Sequence, residues 1–502
     1  MRKIYAIGVG GSGAKCLESM VFLHGLGVYG LDCQLGILLV DADKSNGNSQ
    51  RTSINLTSTI EAHQKFKNGK TSLLNGEIIN YGTWNPLGDV IHASNLKTIF
   101  NKEALQVNAP ALSKLFDALY SPEEQQADLG VGFRGRPPIG SAVMSRLELE
   151  TLQQEGERNG WQRLFAQIQA DLGAGNNQVV VHFCGSIFGG TGASGIPTLA
   201  KLVANQLKRD QLRNSVRINA SLLLPYFGFE KPNDGDQTVY AETRFFALNT
   251  QAALQYLTEQ GDGCFDRIYL IGDQDKTKYQ SHTGGTNQQN DAHFVELYAA
   301  LALNHSFENF GQGGEPTKGL YISRDSGDRL LWTDLPNSQE VKRDLSKGVR
   351  FAYAWLYNLS MELDEAIRMG GPRFAKGAPW FRHYFSLKAG KDEKPLVSAE
   401  TEKELNQVLI TWCSRFLMWS QQVAGSHRGG EHFFRLAQLN ELDPNKARSY
   451  HEHLHALVID QEMSVEAQKG DRLDTIKNRL ADQGETGQFG IFGLAHALFS
   501  LI

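Results

Sequence analysis

Apolar residues follow two rhythms along this chain. Between residues 1 and 309, short unbroken apolar runs ("KIYAIG", "LGILLVDAD", "NQVVVHFCGS", "VRINASLLLPYFGFE", "DRIYLIGDQD") alternate with longer segments whose apolar residues recur at helical spacing. A run with no polar alternation is what a strand covered on both faces needs, so this half predicts an α/β fold of parallel strands and helices. "GAKCLESMVFLHGL" and "ETRFFALNTQAALQYL" read as two of the helices, and "NDAHFVELYAALALNHSF", at about residues 290 to 307, as a long, largely buried one. Residues 90 to 128 read as a helical insertion at the surface, and "VGFRGRPPIGSAVMSRLELETLQQE" as a loop feeding a helix. "GLYISRDSGDRLLWTDLP" has the pattern of a hairpin turning at Ser326-Gly327. From about residue 340 the periodicity is mostly helical, as in "TEKELNQVLITWCSRFLMWSQQV", and "IFGLAHALFSLI" reads as a docked terminal helix. The expected organisation is an α/β domain over residues 1–309 and a mainly helical domain over 310–502, joined at "FGQGGEPTKG" (310–319).

Composition narrows the classes. At 502 residues the chain exceeds one compact core. Its 50 Lys and Arg against 55 Asp and Glu give a net charge of -5, without a long basic run, so direct contact with nucleic acid is not expected. Cys16, Cys33, Cys184, Cys264 and Cys413 are scattered, with no CxxC pair, which speaks against a disulfide framework or a structural metal and suits a reducing cytoplasm. No apolar run approaches the length of a membrane span, and in "MRKIYAIGVGG" glycines interrupt the apolar stretch as in a strand rather than a leader.

Two glycine-rich turns carry the candidate chemistry. Each follows an apolar strand and opens a helix: Gly8-Val9-Gly10-Gly11-Ser12-Gly13, and Gly189-Gly190-Thr191-Gly192-Ala193-Ser194-Gly195. Glycine lets backbone N–H groups approach an anion, and the helix that follows points its positive end at the same place. Either could also be a tight turn with no ligand. The ribose-binding acid of a dinucleotide fold is expected about 20 residues past the turn, whereas Asp41 lies 28 residues past Gly13, which weakens an NAD reading. No Gly-Lys-Ser/Thr follows either turn, so a lysine of the Walker type is absent. Pro197 is expected in the first turn of the second helix.

These residues resemble the tubulin/FtsZ superfamily of self-assembling GTPases. "FGGTGASG" is similar to its signature GGGTGSG, with Phe188 in place of the first glycine, as in divergent bacterial tubulin-like proteins. "GVGGSGAKCLESM" resembles its first phosphate loop, "VDADKSN" the strand and loop that follow, "GFRGRPPIG" its γ-phosphate loop, and "LLLPYFGFE" its loop beside the ribose. The resemblance implies a parallel-sheet nucleotide-binding domain around a long central helix. The C-terminal half departs from it, because the family carries a mixed sheet there.

Residue by residue, the resemblance implies that Gly10, Gly11, Ser12 and Gly13 contact the α and β phosphates, and that Gly189, Gly190, Thr191, Gly192 and Ser194 cradle the β and γ phosphates. Gly135 and Gly140 would shape the γ-phosphate loop, and Glu230 and Arg244 would lie near the sugar. Asn290 is placed like the purine-reading residue, although an N-cap role reads equally well. Asp41 and Asp43 would approach the nucleotide or a Mg2+ ion through water, or sit solvated in their loop. GTP or GDP, self-assembly into filaments or oligomers, and hydrolysis completed at the subunit interface are implied. The acids available for that last step are Glu315 and Asp334, the latter also readable as a turn residue before Leu335-Pro336. Arg134 and Arg136 lie outside the family pattern and read as transition-state cations or surface residues.

Two other readings stand beside this one. "GVGGSG" with "LLVDADKSNGNSQR" is similar to adenylating enzymes of the ubiquitin-activating type, which would use ATP, but that similarity leaves the second glycine turn unexplained. A nucleotide-gated scaffold that binds a protein partner through its helical half, without turnover, is the third.

Overall fold

In the computed structural model, β1 (Arg2–Val9) runs into α1 (Gly10–Gly25), β2 (Cys33–Val40), α2 (Gly47–Phe66) and β3 (Glu77–Trp84). The insertion holds α3 (Leu96–Ile99), α4 (Lys102–Asn108), α5 (Pro110–Leu119) and α6 (Pro122–Gln126). Next come α7 (Pro137–Met144), α8 (Leu149–Leu152), α9 (Gly160–Gly173), β4 (Gln178–Ser186), α10 (Gly190–Arg209), β5 (Val216–Leu223), β6 (Phe227–Phe229), α11 (Phe246–Gln260), β7 (Arg267–Ile271), β8 (Thr277–Tyr279), α12 (Phe294–His305) and β9 (Lys318–Ile322). The remainder is helical: α13 (Ser338–Ala354), a π turn (Trp355–Leu359), α14 (Ser360–Met369), α15 (Gly371–Phe374), α16 (Phe381–Tyr384), α17 (Glu400–Ala424), α18 (Val465–Gly470), α19 (Leu473–Asp482) and α20 (Gly490–Leu501). The structure describes all residues except 89–94, 153–158, 231–240, 262, 281, 283, 308–309, 311–317, 323–328, 389, 391–392, 438–452, 460–462 and 483–487.

Among the described residues, seven strands form one parallel sheet in the order β3-β2-β1-β4-β5-β7-β9. The chain winds outward from β1 to β3, then returns to β4 on the other side of β1. That reversal makes the carboxyl ends of β1 and β4 the switch point, where open α/β sheets bind ligands. The two glycine turns begin at these ends.

Side chains alternate across the sheet as a two-sided strand requires. Ile4 and Ala6 of β1, and Leu35, Ile37 and Leu39 of β2, join the core beneath α1, α2 and α12. Tyr5, Ile7 and Val9, with Leu38 and Val40, join the opposite core with α9, α10 and α11. The first core continues without a break into the helical half. Phe22 of α1 meets Phe416 and Trp419 of α17 at ring separations of 5.7 and 5.4 Å. The terminal helix α20 docks here too, with His496 Nε2 2.6 Å from Phe66 O.

Several expectations are corrected. Ser326 and Gly327 lie outside the described residues, but β9 pairs in parallel with β7, Arg267 against Lys318 through Ile271 against Ile322. The other arm of the expected hairpin becomes a 3-10 turn, Trp332–Asp334, anchored by Trp332 Nε1 donating to Ile459 O at 2.8 Å. Strand pairing is thus won by the sheet edge, and the second arm by the helical half. The central helix starts at Phe294, where His293 and Glu296 form a capping box, so Asn290 is not its cap. Pro197 lies inside α10 rather than in its first turn, because the helix already begins at Gly190. Most of the expected 310–319 junction lies outside the described residues.

Candidate functional site

β1 ends at Val9, and the chain enters α1 through Gly10 at φ +72, a left-handed geometry that suits glycine. Neither α1 nor α10 has a side-chain cap: Val9 precedes the first, and Gly189 the second. The leading N–H groups of both helices are therefore left to an external acceptor. The second glycine run is not a loop before a helix but the first turn of the helix itself.

These two ends touch. A Cβ on Gly10 would lie 3.1 Å from Thr191 Cβ and 3.7 Å from Gly192 N. Gly10, Gly11 and Ser12 line one cleft with Gly189, Gly190, Thr191 and Gly192. It encloses about 880 Å3, open mouth included. A third loop closes over them: a Cβ on Gly190 would sit 2.8 Å from Phe133 Cβ, and Gly132 to Gly135 line the same cleft.

The acids Asp41 and Asp43, both buried, form one wall. Asp43 Oδ1 accepts from Ser45 N–H at 2.9 Å, and Oδ2 from Gly285 N–H at 2.7 Å. Asp41 accepts from Asp43 N–H and Ser49 Oγ. Burial, reinforced by the neighbouring Asp43, pushes the Asp41 carboxyl up to about 7, and the hydrogen bonds only partly offset it. Asp41 therefore sheds its proton, and adds a negative charge to the cleft, as pH rises through that value. Phosphate-chain affinity measured without divalent metal should fall several-fold between pH 6 and 8 relative to Asp41→Asn, titrated in parallel to cancel ionisation of the ligand. Parallel curves for the two proteins would refute this.

An amide cluster lines the cleft beside the first glycine turn, where a Cβ on Gly11 would lie 3.1 Å from Asn48 Nδ2. Asn290 lines the cleft and is buried, its N–H donates to Asn48 Oδ1 at 2.9 Å, and its Oδ1 accepts from Gln288 Nε2 at 3.1 Å. Behind it, Arg51 donates to Asn290 O at 2.7 Å while binding Glu18 through two bonds of 2.8 Å. Phe188, Phe227, Phe229 and Phe246 make the remaining wall apolar, with Phe188 and Phe246 rings 4.8 Å apart.

Other expected residues sit elsewhere. Gly13 is pressed against β4, where a Cβ would be 2.5 Å from Cys184 O, and Gly140 packs under Ser194 and Gly190. Ser194 Oγ donates back to Gly190 O at 2.7 Å. Glu230 is exposed outside the cleft, its N–H paired with Tyr279 O. Arg244 pairs with Glu242 at 2.7 Å with its side chain 73% exposed. Arg136 also pairs with Glu242, whereas Arg134 lines the cleft. Asp334 accepts from Leu331 N–H at 2.8 Å, as a turn residue does, and Glu315 lies outside the described residues. Asn48, Gln288 and His282 line the cleft without having been singled out in the sequence. Asn48, two residues past Asn46 in "DKSNGN", carries the one local hint, since Asn46 caps α2 and turns Asn48 inward. Among the described residues no helix is long and apolar enough to cross a membrane.

No protein-family model and no curated protein matches the chain. Among solved structures it is similar to CetZ1 from Haloferax volcanii, a GDP-bound monomer, with 14% identity, a TM-score of 0.28, and 54% of this chain matched to 51% of that one. CetZ2 from Haloferax volcanii, a GTPγS-bound protofilament, has 15% identity and a TM-score of 0.25 over 54% of this chain and 49% of its own. FtsZ from M. jannaschii has 14% identity and a TM-score of 0.23 over 54% and 46%. The chain thus spans about half the length of the structures it matches.

Proposed function

We propose that this chain is a nucleotide-binding protein of the tubulin/FtsZ type that takes GTP or GDP and assembles with copies of itself. One observation carries the reading: two uncapped helix N-termini, α1 at Gly10 and α10 at Gly190, meet in one cleft at the switch point of a parallel sheet. A phosphate chain there would accept from both sets of N–H groups and lie along both helix dipoles. It needs no lysine. Asn290 and Gln288 offer amide donors and acceptors that could meet the edge of either purine, and the preference for guanine comes from the resemblance.

Asp41 and Asp43 fit a Mg2+ ion held largely through water, since a buried carboxyl with so high a pKa lacks a positive partner, while their oxygens also serve the loop. Such an ion would neutralise phosphate charge. Apart from these two, no carboxylate among the described residues lines the cleft, so hydrolysis by the isolated chain is expected to be slow. The adenylating reading loses support from Arg51, whose guanidinium is spent on Glu18 and Asn290 O behind the cleft.

The test is calorimetry of the purified chain with GTP and with ATP, alongside product analysis and sedimentation. GTP binding at least about tenfold tighter than ATP, with GDP as the slow product and sedimentation that rises with nucleotide, is the expected result. Pyrophosphate released from ATP would replace this reading with adenylation, and failure to bind either nucleotide would end it.

A further inference from the structure

Asn290 belongs to no helix or strand, yet both of its backbone polar groups are held by side chains from one face of α2. Its N–H donates to Asn48 Oδ1 at 2.9 Å, and its carbonyl accepts from Arg51 Nη1 at 2.7 Å. Asn48 and Arg51 are three residues apart on α2, so they share that face. Gly47 lets the segment before Asn290 come this close, since a Cβ there would lie 2.5 Å from Thr286 O and 2.9 Å from Gln289 Cβ. Arg51 is itself held. Its Nε and Nη2 fork onto Glu18 Oε1 and Oε2, both at 2.8 Å, and Asn55 Nδ2 donates to Oε1 at 2.6 Å. Glu18 lies on α1, the helix whose first turn lines the cleft, and both members of the pair are buried. A planar guanidinium gripped along one edge can aim its remaining nitrogen in only one direction. That direction is Asn290 O.

We propose that Arg51 is a positioning residue of the nucleotide site: held by Glu18, it fixes the backbone at Asn290 so that the Asn290 amide is presented to the base, and it does so without touching the ligand. The inference rests on the nucleotide reading above. Asn290 lines the cleft, whereas Arg51 stands behind it. In that reading the phosphate chain is held by other groups, the leading N–H groups of α1 and α10. The Arg51 bond reaches Asn290 and neither helix start. Its loss should therefore weaken binding of a nucleoside triphosphate and spare binding of a bare phosphate chain. A buried ion pair that served stability alone would show no such division.

The test compares GTP with inorganic triphosphate on the full chain, each titrated by calorimetry at one Mg2+ concentration and below the melting range of every variant. Arg51→Lys keeps a cation for Glu18, but one ammonium cannot reproduce the fork and still point at Asn290 O. It should weaken GTP at least about tenfold and leave inorganic triphosphate within about threefold of the parent. Asn290→Ala removes the amide being positioned, so adding Arg51→Lys to it should cost about twofold at most. Should Arg51→Lys not fold, Arg51→Gln with Glu18→Gln, which removes both buried charges together, carries the same comparison. Equal losses for GTP and inorganic triphosphate, an unchanged GTP affinity, or losses at Arg51 and Asn290 that add in the double variant would overturn the proposal. A parent that binds neither ligand would end the nucleotide reading itself, which separates the two failures.

Discussion

Thr191→Asp, and separately Gly11→Asp, should each reduce binding of a nucleoside triphosphate at least about 100-fold while the protein unfolds at or above the parent's temperature. Both positions lie in the first turn of an uncapped helix and line the cleft. A carboxylate there is favourable to the helix, by roughly 0.3–1 kcal/mol, because it meets the positive end of the dipole. To a phosphate chain in the same place it is a repulsive charge, worth roughly 3 kcal/mol at about 5 Å in a partly screened site. A Cβ on Gly11 would meet the amides of Asn46 and Asn48 at 3.1 to 3.3 Å, side-chain groups that can yield. Opposite effects on stability and binding separate this result from simple misfolding. Thr191→Val, which keeps the shape and adds no charge, should lose no more than about tenfold. Fluorescent-nucleotide titration beside a thermal melt measures both quantities. If only one aspartate variant lost binding, the two helix ends would not share a ligand.

Lys15→Met should destabilise the protein strongly, by about 3–5 kcal/mol. Lys15, 1% exposed, reaches from α1 to place Nζ 2.6 Å from Glu296 Oε1 on α12, and Glu296 is fully buried. The Tyr226 hydroxyl and the His293 N–H also donate to that carboxylate, and the Tyr226 and Tyr279 rings lie 5.8 and 5.7 Å from Nζ. Removing the ammonium leaves a buried charge with only neutral donors.

The pH dependence follows from the same pair. Burial raises the Glu296 pKa above its ordinary value even though Lys15 pulls it down, and without Lys15 it rises further. A carboxyl whose folded pKa lies above the unfolded one contributes stability at low pH that is lost as pH climbs toward the folded value. Lys15→Met should therefore be closer to the parent at pH 5 than at pH 8. Adding Glu296→Gln should recover much of the loss and flatten the difference. Chemical denaturation across that range tests the point, and a deficit larger at pH 5 would reverse it.

Much of the fold was legible in the sequence because a strand buried on both faces has to be apolar throughout. β1, β2, β4, β5 and β7 stand out for that reason, and so do the two glycine turns, whose spacing records close backbone approach. The α2 segment "GNSQRTSINLTSTIEAHQKF" carries no such mark. Rich in Ser, Thr and Asn, it is nevertheless buried at Thr52, Asn55 and Thr59, where Asn55 Nδ2 bonds Glu18 and Arg415 reaches back from α17 to Asn55 Oδ1. Polar residues can be buried only when partners meet them, and for Asn55 those partners lie 37 and 360 residues away in the chain. Edge strand β3 was silent as well, because its pairing with β2 jumps from Asn80 to Gly82 and that irregularity interrupts the alternation of buried side chains.

What the sequence determined by itself is local: a parallel α/β half, a helical half, and two helix starts stripped of side chains. That their N–H groups meet depends on strand order, because only the placement of β4 beside β1 brings Gly10 within contact of Thr191. Tertiary structure likewise decided which polar residues face the cleft. Gly13, Gly140 and Ser194 turned to packing, while Asn48 and Gln288 turned inward, because a residue's role there follows from which wall its backbone reaches rather than from its place in a motif.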